Sequence, residues 1–108
     1  MKHSVLLTDG ANTDLNQIYE YIARNDSLAS AEHVLGHLDS AMQSLAKHPN
    51  RGTYPPELLE LGVREYREVF FKPYRIIYQV VKRTVVVFII ADGRRDMQSL
   101  LKRRLLGA

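Results

Sequence analysis

One apolar run, Val85-Val86-Val87-Phe88-Ile89-Ile90-Ala91, constrains the fold more than any other stretch of the chain. Such an unbroken series of β-branched and aromatic residues reads as a strand. A strand apolar on both sides must be central and covered on both sides. The run is far too short to span a bilayer. At 108 residues the chain suits one compact domain, residues 1–108, large enough to bury its own core.

Helical periodicity fills the first half. Val5 to Thr8 predicts a short first strand, broken by Asp9-Gly10. Asn12 or Thr13 then caps a helix starting near Asp14. Leu15, Ile18, Tyr19 and Ile22 form its apolar face, and it ends near Asn25-Asp26. A second helix carries Ala31, Val34, Leu35, Leu38, Ala41, Met42 and Leu45, and Pro49 stops it. The short link between the two predicts an antiparallel hairpin.

The second half reads as β-structure. Asn50 to Gly62 is a loop with a helical turn at Glu57–Leu61. Strands follow at Arg64–Phe71, Tyr74–Val81 and Val85–Ala91, turning at Lys72-Pro73 and Lys82-Arg83. The tail from Asp96 is helix-competent. The expected fold is therefore α+β, in the order β-α-α-β-β-β with a short C-terminal helix. The hairpin covers one face of a mainly antiparallel sheet, leaving the other face available for function.

Charge divides the chain sharply. Residues 1–63 carry 4 Lys/Arg against 8 Asp/Glu, net −4; residues 64–108 carry 11 against 4, net +7. A split of this kind points to polyanionic partners: nucleic acid, a nucleic-acid-bound machine or an acidic protein. Strand alternation puts Ile76, Tyr78 and Val80 toward the helices and Arg75 on the open face, where Arg67 is expected to join it. Arg94 and Arg95 would complete a guanidinium cluster suited to phosphates. Each arginine could instead pair with Glu65, Glu68, Asp92 or Asp96. Lys102, Arg103 and Arg104 add a basic, amphipathic C-terminal segment.

Other chemistry finds little support. With no cysteine, disulfides and thiolate metal sites are excluded, and a cytoplasmic location without a signal peptide is expected. His33 and His37 stand at i, i+4, but no third ligand is evident. No metal or cofactor is expected, and a solvated helix edge is the better reading. No histidine lies in the basic half to move a proton.

A set of ordered pieces then carries a resemblance. They are Arg51-Gly52, Pro55-Pro56-Glu57-Leu58, Leu61-Gly62, Tyr66-Arg67-Glu68, Pro73 through Val80, Val85 to Ile90 and Asp92-Gly93-Arg94-Arg95-Asp96-Met97. Together with Asp14-Leu15, Ile18 and Tyr21-Ile22 they resemble the ParE/RelE toxins over nearly the whole chain. The resemblance implies the toxin of a type II toxin–antitoxin pair. RelE-like members cleave mRNA in the ribosomal A site; ParE-like members poison DNA gyrase and are not nucleases. By the same resemblance Arg67, Arg75 and Arg95 match basic positions of the RelE-type site. Its second strand lysine falls on Val69 and its catalytic tyrosine on Leu101. That departure favours the ParE-like, non-enzymatic reading, with a ribosome-dependent mRNA interferase as the alternative. Either implies a hetero-oligomer with a cognate antitoxin, and Arg67, Arg75, Arg94, Arg95, Lys102, Arg103 and Arg104 are expected to bind the target or the antitoxin. A basic binding module without toxicity is the third reading.

Overall fold

A computed structural model describes residues 2–107. Its elements run β1 (Ser4–Leu7), α1 (Asp9–Asn25), α2 (Leu28–Ser44), α3 (Pro56–Leu59), β2 (Arg67–Phe71), β3 (Tyr74–Val81), β4 (Thr84–Asp92) and α4 (Met97–Leu106). The strands form one sheet in the order β1-β4-β3-β2. β1 runs parallel to β4, while the β4–β3 and β3–β2 pairs are antiparallel. The α+β fold, the first strand, the hairpin and the terminal helix all stand as read from the sequence.

Local chemistry sets the helix limits. Thr8 is the N-cap of α1, its hydroxyl accepting from the Ala11 amide at 3.1 Å. Asp9-Gly10 therefore opens the helix instead of breaking the chain before it, and α1 starts about a turn earlier than periodicity predicts. Ser27 caps α2 by accepting from the Ser30 amide. Asp96 caps α4 in the same way through Ser99.

Two cores lie on opposite faces of the sheet. On one, Ala11, Leu38, Met42 and Leu45 of the hairpin region meet Val69, Ile76, Tyr78, Val85, Val87 and Ile90. On the other, Leu58 of α3 and Met97, Leu100 and Leu101 of α4 meet Ile77, Ile89 and Ala91. β4 is thus covered on both faces, as its composition demands. The expectation of an open second face is overturned: α3 and α4 lie across it, because the leucines of a terminal amphipathic helix need a partner as much as the strand does.

β4 also outruns its neighbour. β1 pairs with it only as far as Leu7 and Val87. A register shift against β3 at Ile77/Tyr78 makes Phe88 the extra residue of a bulge. Side chains from α1 and α4 satisfy the edge left bare beyond β1.

Candidate functional site

Arg75 enters the sheet on the face covered by α3, and it is buried at 9% exposure. Its Nε donates to Glu68 Oε1 at 2.7 Å, and Nη1 and Nη2 donate to the two Glu57 oxygens at 2.8 and 2.7 Å. The Glu57 hydrogen bonds and the Glu68 pairing hold its pKa above the ordinary arginine value. The same hydrogen bonds lower the Glu57 pKa, while burial raises that of Glu68. Arg75 is an internal cation with all three guanidinium nitrogens bonded to carboxylates, not the open-face anion receptor expected from alternation.

Arg67 lies elsewhere. β2 pairs Arg67 with Tyr78 and Val69 with Ile76, which puts Arg67 on the hairpin face, opposite Arg75. Its Nη1 donates to the Gly52 and Asn50 carbonyls, its Nη2 to the Tyr54 hydroxyl, and its guanidinium sits 4.7 Å from the Tyr54 ring centroid. Arg67 braces the loop beside β2, and the two arginines do not converge.

The C-terminal cations also separate. Arg94 forks onto its near neighbour Asp92, with Nη2 to Oδ2 at 2.6 Å, and stays exposed. Arg104 forks onto Asp14 at 3.1 and 3.0 Å and donates to the Phe88 carbonyl at 3.0 Å. Asp14 in turn accepts from the Ile90 amide at 3.1 Å. This pair closes the β4 edge beyond β1, supplying an acceptor and a donor where a strand would. Lys102 is half-buried and Arg103 exposed on the outer side of α4. Among the described residues, Arg95, Lys102 and Arg103 hold no carboxylate within salt-bridge distance.

Of the C-terminal cations, Arg94 and Arg95 line a cleft. It opens between α1, the start of β3 and the end of β4, with a volume of about 430 Å³. Tyr21 and Gln17 stand on the α1 side, Tyr74 on the sheet side, and Ile18, Ile90 and Ala91 supply apolar lining. The two acids of the cleft, Asp14 and Asp92, are already paired. Burial holds the Tyr74 phenol above its ordinary pKa, so it stays a neutral donor at physiological pH. Sequence reasoning found the two arginines, and Tyr74 only as a strand tyrosine able in principle to donate a proton, but missed Gln17 and Tyr21. Tyr21 carried a signal, since it lies outside the apolar stripe of its helix.

The positions at which the resemblance departs from a RelE-type site are both interior. Val69 sits in the hairpin-side core and Leu101, fully buried, in the other. Among the described residues no cluster of three or more His, Cys, Asp or Glu could hold a metal ion. None of their helices is long and apolar enough to cross a membrane.

Comparison with known proteins places this architecture. The structure is similar to one solved as the chromosomal ParDE toxin–antitoxin system from P. aeruginosa. The TM-score is 0.70 and the identity 18%, over 84% of this chain and 96% of that one. It is also similar to a chain of the RelBE2 toxin–antitoxin complex from Mycobacterium tuberculosis. There the TM-score is 0.63 and the identity 18%, over 85% and 92% of the two chains. At such identities these likenesses speak for the fold. A search of curated proteins finds no match. The family model described as the ParE toxin of the type II toxin–antitoxin system parDE matches residues 5–97. The chain therefore belongs to the ParE toxin family of type II toxin–antitoxin systems.

Proposed function

We propose that this toxin acts in the cytoplasm by poisoning DNA gyrase, without cleaving a bond itself, and that a cognate antitoxin neutralises it by binding. The observation that carries the non-nuclease reading is the burial of Val69 and Leu101 in opposite cores. Neither side chain can contact phosphate or exchange a proton. Arg75, the third-strand cation such chemistry would use, is already committed to two carboxylates. ParE family membership and the likeness to a ParDE assembly support the antitoxin partner, and gyrase as target follows from the resemblance to ParE-like toxins. An antitoxin segment that folds on binding would add apolar contacts and neutralise the free cations of α4.

The test is expression of the chain alone. Growth arrest with induction of a DNA-damage response, relieved by co-expression of the protein encoded beside it, is expected. Unimpaired growth at high expression would leave a basic binding module in place of a toxin. Growth arrest with cleaved message and undamaged DNA would favour the mRNA interferase.

A further inference from the structure

We propose that the cleft between α1 and the Asp92–Arg95 turn binds a nucleotide of an unpaired nucleic-acid strand, its base against Tyr21 and its phosphate on Arg95. This goes beyond the gyrase reading and does not depend on it. The cleft is selective by elimination. Asp14 and Asp92 are paired with Arg104 and Arg94, which offsets their repulsion of an anion. The side-chain donors of Arg95, Gln17 and Tyr74 make no hydrogen bond among the described residues, although all three line the cleft. Their natural complement is an acceptor-rich anion.

The ligand must also have a flat apolar part. Tyr21 stands at 68% exposure on α1, the most exposed large hydrophobic side chain among the described residues. Tyr74 lines the cleft from the sheet, and Ile18, Ile90 and Ala91 complete its apolar surface. Aromatic faces beside a guanidinium are the usual platform for unpaired bases, because every base has a π-face. The volume, about 430 Å³, falls within the range of roughly 300–1,000 Å³ typical of small-ligand sites.

An extended peptide fits this place less well. Peptides that dock on sheets do so through a free strand edge. Here the β4 edge is plugged: the Ile90 amide donates to Asp14, and the Phe88 carbonyl accepts from Arg104. Recognition is left to side chains, which suits a base and a phosphate. Asp14 pairs with Arg104 and Asp92 with Arg94, so among the described residues Arg95 is the unpaired charge that an approaching polyanion meets at the cleft.

Fluorescence anisotropy of end-labelled oligothymidylate, titrated with the full chain at low salt, tests the proposal. Single strand should bind more tightly than a duplex of equal length or oligoglutamate. Oligouridylate in place of oligothymidylate shows whether DNA or RNA is preferred, and binding of either satisfies the proposal. Tyr21→Ala should weaken binding about ten-fold or more, and Tyr21→Phe should restore it. Arg95→Ala should lower the salt slope by about one. Lys82→Ala, in the distant β3–β4 turn, should change little. Circular dichroism confirms that the exposed-site variants fold. The proposal is overturned by no binding, by equal binding of duplex or oligoglutamate, by an indifferent Tyr21→Ala, or by a Lys82→Ala loss matching that of Arg95→Ala.

Discussion

Arg104 and Asp14, 90 residues apart, form a two-pronged ion pair that fastens the last helix to the first. Gly10 makes room for it, since a Cβ there would lie 2.7 Å from Arg104 Nη2. Each partner also satisfies a backbone group of β4, so the pair works as a latch over a bare strand edge. Arg104→Met should cost about 1.5–3 kcal/mol, the usual range for hydrogen bonds to charged groups. Hydrogen exchange at the Ile90 amide and through α4 should accelerate. Unchanged protection there would show that the apolar face of α4 suffices to hold it.

Arg75 between Glu57 and Glu68 predicts a larger effect. Glu68 is 3% exposed, and removing its cation strands a buried carboxylate. Arg75→Met should destabilise by about 3–5 kcal/mol. Urea denaturation measures it. A loss below about 1 kcal/mol would mean that water replaces the guanidinium readily.

The same triad sets a pH dependence. Arg75 hydrogen bonds depress the Glu57 pKa. Glu57 therefore stabilises the fold above its unfolded pKa, and that contribution is lost as pH falls through the lower folded value. Glu68 runs the other way. Burial raises its pKa, so its contribution is present at low pH and lost as pH rises through the folded value. Glu57→Gln should lower stability at pH 7 and flatten the loss on acidification below about pH 5. Thermal melts across pH check this; an acid limb identical to that of the parent would refute it.

Gly52 is required by a close approach. A Cβ there would lie 2.6 Å from the Tyr78 hydroxyl and 2.7 Å from the Glu68 carbonyl. That hydroxyl accepts from the Gly52 amide at 3.0 Å and donates to the Pro49 carbonyl at 2.7 Å. Gly52→Ala should cost about 1–3 kcal/mol through overpacking. Tyr78→Phe should cost a similar amount, about 1–3 kcal/mol, by leaving backbone groups unpaired. If the two losses add fully in the double variant, the residues are not coupled as described.

Much of this fold was legible in periodicity. The spacing from Ala31 to Leu45 specified α2, and the apolar run at Val85 specified a doubly covered β4. Alternation also put Ile76, Tyr78 and Val80 toward the hairpin, where they lie. The functional face was misread for a physical reason. Alternation says which residues share a face but not which face is which across two strands. Register does that, and Arg67 opposite Tyr78 fixes it. Asp9-Gly10 was misread because both residues favour turns locally, while the Thr8 cap competes successfully for the first turn of α1. The pairings of Arg75 with Glu68 and Arg94 with Asp92 were foreseen only as the bland alternative to a cluster. Nothing in the spacing revealed that α1 brings Tyr21 beside the Asp92–Arg95 turn, since that contact depends on how the hairpin lies across the sheet.

The most direct test of the central reading sets purified toxin against both targets under one set of conditions. Gyrase with supercoiled plasmid should lose supercoiling activity and accumulate linear, protein-linked DNA. Ribosomes carrying a defined message should keep it intact. Cleaved message on those ribosomes, with gyrase working normally, would contradict the account.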